Sequence, residues 1–220
     1  PQHGVISSMH PRLSWKEEIG GKYLPDEFWQ WGSYWGEALP VSVKRVTIGA
    51  PSFLTAQRGV AKNRQLLVIG QPQQSKNIIQ FARFIAASVK NLEVVFKPHP
   101  QEKLDEVLAM LDGFGERPSN LRIESPIAET LPLIAQSEYV VGVYSTALFE
   151  AVALGCKVGV LKLDGWKHVH TLVIDGEATL IAQVSDIGKF LTTSKPSLTS
   201  KRYYADPVDL ATLVEAAINE

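Results

Sequence analysis

The chain has 220 residues, 45% of them hydrophobic and 20% charged, with a formal net charge of −1. At about 100–200 residues per domain that length allows one domain or slightly more, with a core large enough to fold alone. So even a charge balance gives no whole-chain basic field, which argues against general nucleic-acid binding, because that needs clustered Lys and Arg against phosphate.

Cys156 is the only cysteine, so no internal disulfide can form and a reducing compartment is expected. No run reaches the roughly 18 consecutive apolar residues of a membrane span, and no signal-peptide pattern opens the chain. The sequence starts at Pro1, and its first residues read as the middle of a longer protein with an upstream domain.

Trp15, Trp29, Trp31 and Trp35 crowd the opening segment, and after Pro40 the texture changes to short β-branched runs. The change predicts a boundary near 40–46, with 1–44 ending a preceding domain and 45–200 forming the main one. Apolar runs at 46–48, 66–69, 92–96, 121–123, 139–144 and 158–163 predict strands, and 171–174 reads as a further one. Each is short and nearly continuous, as strands covered on both faces are.

Between the runs lie helical patterns. Ile78, Ala82, Ile85 and Val89 share one helix face, as do Leu104, Val107, Leu108 and Leu111. Residues 146–154 read as a helix stopped by Gly155. Strands alternating with such helices predict an α/β fold, a Rossmann-like parallel sheet with helices on both faces. The segment 201–220 closes the chain, with a helix predicted over 207–219, Asp206 as its N-cap and Pro207 at its first position.

Open parallel sheets bind ligands beyond the carboxyl ends of their strands. The residues there are Gly70-Gln71, Lys97-Pro98-His99-Pro100, Ser145-Thr146 and the stretch 164–168. Two prolines make 97–100 a rigid strand exit. It holds His99 in a fixed orientation beside the charge of Lys97, where an imidazole can donate to a phosphate or protonate a leaving group. A stiff turn without ligand would use the same residues. Ser145 and Thr146 open a helix, a position that suits both simple N-capping and anion binding. Neither has Glu or Gln three residues on, so no reciprocal capping box forms there. Glu150 follows in the first turns of that helix, within reach of a sugar hydroxyl or on the surface.

These residues carry a resemblance. The segment 149–158 resembles the Glu-Ala-x-Ala-x-Gly stretch of GT-B glycosyltransferase donor domains, whose glutamate holds the nucleotide ribose. Lys97-Pro98-His99-Pro100 resembles the His-Pro motif of bacterial sialyltransferases and related enzymes that use CMP-activated acidic sugars. Ser145-Thr146 resembles their Ser-Ser/Thr motif. Gln2-His3-Gly4-Val5-Ile6 is similar to the Gln-His-Gly loop of capsule and lipopolysaccharide transferases.

The resemblance implies a GT-B C-terminal domain that binds a nucleotide-sugar donor, with sialic acid or Kdo passed from CMP to a surface polysaccharide or lipopolysaccharide. It implies nucleotide contacts at Gly70, Gln71, Lys97, His99, Pro100, Ser145, Thr146 and Glu150. His99 and His3 would be the catalytic residues, His99 stabilising the leaving phosphate. The catalytic base would lie in an N-terminal GT-B domain, the other partner besides a glycan or glycolipid acceptor. A cytoplasmic enzyme follows, at the inner face of the membrane by peripheral association.

No cofactor or metal is expected. His168 and His170 share a face only if 168–170 is a strand, and no Cys/His cluster or Asp-x-Asp motif adds ligands. Cys156, directly before a strand, reads as a small buried residue. The early tryptophans would stack on sugars or pack between domains. The absence of a Walker loop and of Gly-x-Gly-x-x-Gly argues against nucleotide hydrolases and dinucleotide oxidoreductases. Three rivals stand: a CDP-polyol phosphotransferase of teichoic-acid type, a UDP-sugar enzyme, and a noncatalytic nucleotide-binding or assembly module.

Overall fold

The structure, a computed structural model, describes residues 25–37, 39, 42–193, 201–209 and 211. Its contacts divide the chain into two units, Pro1–Ala56 with Ser200–Glu220, and Gln57–Thr199.

In the first unit β1 (Glu27–Gln30) pairs in parallel with β2 (Lys44–Thr47), and α1 (Ser52–Thr55) follows. The alternation that betrays a strand is hidden in β1 because half of Glu27–Gln30 is aromatic. Trp35 is fully buried, and its indole N–H donates to the Tyr203 carbonyl at 2.6 Å. Trp31 stacks on Tyr204 with ring centroids 5.6 Å apart, and Tyr34 meets Tyr203 edge-on at 4.9 Å. Such ring pairs add about 0.5–1.5 kcal/mol each beyond burial. Trp31, Tyr34 and Trp35 are thus covered by residues 203–204, far away in sequence. Gly32 permits it: a Cβ there would stand 2.3 Å from the Arg202 carbonyl oxygen.

The closing segment departs from expectation. Residues 205–209 are not helical. The Ala205 and Val208 amides donate to the carbonyls of Trp31 and Ile48, and the Asp206 carboxylate binds Lys201 at 2.5 Å instead of capping a helix. Asp209 accepts from the Ala211 amide at 3.0 Å, so any cap falls there. Residue 210 and residues 212–219 of the predicted helix lie outside the described residues, as do Trp15 and the 2–6 motif.

The second unit is a parallel sheet. Its strands are β3 (Asn63–Ile69), β4 (Glu93–Lys97), β5 (Leu121–Ile123), β6 (Ser137–Gly142), β7 (Lys157–Leu161) and β8 (Ala178–Ile181), in the order β5-β4-β3-β6-β7-β8. Helices α2 (Ser75–Ser88) and α3 (Leu104–Asp112) pack with Leu66, Val68, Val94 and Phe96. The intervening Leu67, Val95 and Val140 are fully buried as well, with α4 (Thr130–Gln136) against β3 and β6, and α5 (Thr146–Ala153) against β6 and β7. Burial of both faces is why the strands read as continuous apolar runs. The α/β expectation therefore holds.

The expected strand at 171–174 is instead α6 (His170–Ile174), and α7 (Asp186–Thr192) closes the unit. Thr171, Val173 and Ile174 are β-branched, but Gly165 and Gly176 hold φ at +93° and +76°, and between these left-handed turns the chain fits a helical arc with Leu172 inward. The strand begins only at Ala178. No helix among the described residues is long and apolar enough to cross a membrane.

Polar atoms buried between the sheet and α4 are paired. Gln65 donates its amide to Ser137 Oγ at 2.7 Å, and the Ser137 hydroxyl donates to the Leu133 carbonyl at 2.6 Å. Ser137→Ala would strand a buried amide without acceptor, a cost of about 1–3 kcal/mol. A corresponding loss in urea-unfolding free energy is expected.

Candidate functional site

Strand order reverses between β3 and β6: the chain runs outward through β4 and β5, then returns to build β6, β7 and β8 on the other side. Connections from β3 and β6 therefore leave in opposite directions, and a crevice opens at their carboxyl ends. Gly70 and Gln71 end β3, Lys97 ends β4, and Ser145 follows β6.

Gly70 lets the first two exits touch. Its amide donates to the Lys97 carbonyl at 2.8 Å. A Cβ on it would lie 2.9 Å from both that oxygen and Glu102 Oε2, and 3.0 Å from the His99 nitrogen. Gln71 opens a short 3-10 turn, Pro72–Gln74, that leads into α2.

Lys97 is buried, with its ammonium held 2.8 Å from each of the Pro98 and Pro126 carbonyl oxygens. Burial lowers its pKa, and the nearby Glu102 charge opposes that shift. Its charge braces the His99 turn from below and ties it to the loop after β5.

The turn itself is a capping box with histidine in the cap position. The Gln101 amide donates to His99 Nδ1 at 3.2 Å, and Glu102 Oε2 accepts from the His99 amide at 2.6 Å. The Glu102 amide returns to the His99 carbonyl at 2.9 Å. Pro100 takes the following position, where its missing N–H costs nothing. Since a backbone N–H can only donate, Nδ1 must accept, and the neutral ring carries its proton on Nε2. The Ser75 hydroxyl at the start of α2 bonds the other Glu102 oxygen. Beside the turn, Gln74, Ser75, Asn77, Gln101 and Glu102 help line a cavity of about 360 Å³.

At the β6 exit the two hydroxyls separate in role. Ser145 is an N-cap whose oxygen accepts from the Ala147 amide at 3.2 Å. The Thr146 hydroxyl has no partner among the described residues. Ala147, Leu148, Phe149, Ala151 and Val152 are buried, so the half-buried Thr146 and Glu150 form the polar stripe of α5, one turn apart. The Glu150 carboxyl has no hydrogen-bond partner among the described residues, and burial pushes its pKa above the ordinary carboxylate value.

Tyr144 bridges the loops that follow β3 and β7. Its hydroxyl lies 3.1 Å from Gln73 Oε1, its ring sits against Gly165, and the His168 ring centroid is 5.7 Å away. His168 and His170 are not on a strand: the first lies in a 3-10 turn and the second opens α6, with Nδ1 2.7 Å from the Lys167 carbonyl. No group of three or more His, Cys, Asp or Glu among the described residues is arranged for a metal ion. Cys156 is buried, with its sulfur 3.1 Å from the Lys62 ammonium. His3 lies outside the described residues.

Sequence reasoning missed Glu102, Ser75 and Tyr144. The spacing His99-x-x-Glu102 was the available signal for the first, since a glutamate three residues after a cap marks a capping box. Ser75 and Tyr144 carried none, because their partners come from other strand exits.

Residues 33–157 match the family described as alpha-2,8-polysialyltransferase (POLYST). The match covers more than half of the chain and contains His99, Ser145, Thr146 and Glu150. The chain belongs to the alpha-2,8-polysialyltransferase family. Among solved structures, this polysialyltransferase-family chain is similar in fold to the spinosyn rhamnosyltransferase SpnG, at TM-score 0.56 and 21% identity over 86% of this chain and 54% of that one. It is similar to MurG from Acinetobacter baumannii at TM-score 0.52 and 17% identity, over 84% and 58%. The UDP-GlcNAc 2-epimerase from Methanocaldococcus jannaschii gives 0.51 and 16%, over 80% and 56%. The chain thus spans little more than half the length of each. No curated protein matches it.

The raised Glu150 pKa has a stability consequence. The fold favours the protonated form, so this group's contribution is fully present below its unfolded pKa and is lost as pH rises through the higher folded value. Glu150→Gln carries no charge at any pH. It is expected to melt above the wild type near neutral pH, with the gap closing below about pH 4, in thermal scans across pH.

Proposed function

We propose that this chain is the donor-binding part of a glycosyltransferase that takes an acidic sugar of the sialic acid class from CMP and passes it to a surface polysaccharide. The reading rests on family membership together with one arrangement: His99 at the β4 exit, and Thr146 and Glu150 in the first turns of α5 after β6, keep hydrogen-bonding capacity to spare. As the bond between the anomeric carbon and the phosphate oxygen breaks, negative charge grows on the phosphate. His99 Nε2–H and the Thr146 hydroxyl donate to it, and the amino end of α5 adds its dipole. Glu150 accepts from the ribose hydroxyls, a use for a carboxylate that the fold itself penalises. Ser145 shapes the helix start, Lys97 and Pro100 stiffen the His99 turn, and Gly70 and Gln71 border the nucleotide.

The Gln-His-Gly loop with His3 would belong to the preceding acceptor-side domain. The donor needs no redox cofactor, and the acceptor is a glycan or glycolipid at the inner face of the membrane.

Titration calorimetry separates this reading from its rivals. CMP is expected to bind more tightly than UDP, and His99→Ala should weaken CMP by about tenfold, the equivalent of one charge-assisted hydrogen bond. Tighter UDP than CMP would favour a UDP-sugar enzyme, and CDP well above CMP a polyol phosphotransferase. Binding by none of them would sink the donor-site reading.

A further inference from the structure

Glu102 lies outside every motif that the sequence singles out, yet it joins the exits of β3 and β4. One carboxylate oxygen accepts from the His99 amide at 2.6 Å, and the other is bonded by the Ser75 hydroxyl at the start of α2. Gly70 at the end of β3 presses on the same oxygen that His99 uses, since a Cβ there would come within 2.9 Å of it. We infer that Glu102 is a positioning residue for His99: it closes the capping box that holds Nδ1 against the Gln101 amide and so presents Nε2–H to a phosphate. This rests on the donor-site reading above.

Two observations separate this role from ordinary helix capping. Helix α3 begins at Leu104 with Lys103 as its cap, and its first hydrogen bond runs from the Val107 amide to the Lys103 carbonyl. The box of residues 99–102 therefore closes before α3 and serves the turn that carries His99. The box also settles the tautomer. Without it the Gln101 amide loses its alignment on Nδ1, and the two neutral tautomers, one of them with an acceptor where a donor is wanted, compete.

A carboxylate near a phosphate site would ordinarily repel the ligand. Here both oxygens already accept hydrogen bonds, and the Lys97 ammonium lies close enough for the Glu102 charge to favour its protonated form. The Lys97 charge thus offsets part of the Glu102 charge, and the imidazole supplies direction.

The test uses the 220-residue chain labelled with ¹⁵N-histidine, with His99→Gln identifying the His99 ring signals, and CMP calorimetry on the same samples. The wild type is expected to show the Nε2–H tautomer. Glu102→Ala should show mixed tautomers and about tenfold weaker CMP binding. Glu102→Gln still offers an oxygen to the His99 amide and should keep the wild-type tautomer and CMP affinity. Glu102→Asp keeps the charge but is one methylene too short, and should behave as Glu102→Ala does. If Glu102→Ala does not fold, the Asp and Gln variants carry the comparison.

Wild-type tautomer and CMP affinity in a folded Ala or Asp variant would overturn the inference and leave the donor-site reading standing. So would a Gln variant as impaired as Ala, which would make charge the decisive property. Failure of both Ala and Asp variants to fold would also overturn it, in favour of a purely structural role. Should the wild type not bind CMP, the donor-site reading falls, and the tautomer comparison still decides what Glu102 does.

Discussion

The site depends on the contact between two strand exits. Where β3 ends, Gly70 gives its amide to the carbonyl of Lys97 at the end of β4, at a separation that admits no side chain between them. That contact brings the start of α2 against the His99 turn, so Ser75 and Glu102 can meet. Parallel strands alone fix the spacing of their backbones, but not whether the loops beyond them touch. A glycine at one exit and a proline-framed turn at the other make them touch with little freedom to vary.

The two charged residues of the motifs solve burial in opposite ways. Lys97 goes inside with its ammonium satisfied by two carbonyl oxygens, which is the usual condition for burying a cation. Glu150 is half-buried with its carboxyl unpartnered among the described residues, and its proton affinity rises accordingly. A satisfied buried charge braces structure. An unsatisfied one is a cost the fold tolerates, and such costs concentrate where a ligand completes the arrangement.

The smaller unit depends on a different kind of contact. Trp31, Tyr34 and Trp35 are covered by Tyr203 and Tyr204, and the Trp35 indole N–H finds its acceptor on the Tyr203 backbone. The Arg202 guanidinium, joined to Glu37 at 2.6 Å, rests over the Tyr34 ring. These three aromatic residues thus rely on residues 202–204, far away in sequence, for cover. Backbone hydrogen bonds from Ala205 to Trp31 and from Val208 to Ile48 hold 205–209 out of a helix, where the sequence suggests the start of one at 207.

Much was legible in the sequence because it was local. Continuous apolar runs marked β3 to β7, since a strand covered on both faces is apolar along most of its length and keeps its polar residues mainly at its ends. The stripe Ile78, Ala82, Ile85 gave α2, and Gly155, with φ at +69°, stopped α5 as a left-handed helix terminator does. Strand ends then singled out Gly70, His99 and Thr146 as candidates, and Glu150 followed on the helix that Thr146 opens. The segment 171–174 misled because β-branched residues are ambiguous over so short a run, and β1 was missed because aromatic residues fill half of it.

Tertiary structure decided which of the motif residues keep a free hydrogen-bonding group. Sequence placed Lys97 beside His99 as a charge, and the fold turned it inward onto Pro98 and Pro126. Sequence paired Ser145 with Thr146 as equals, and the fold gave one to the helix cap and left the other open. Glu102 had no role until the exits of β3 and β4 met. Backbone periodicity and turn chemistry are written within a few residues of where they act. The partner of a charge or hydroxyl is chosen by elements tens of residues apart, and only the assembled sheet brings them within a hydrogen bond's length.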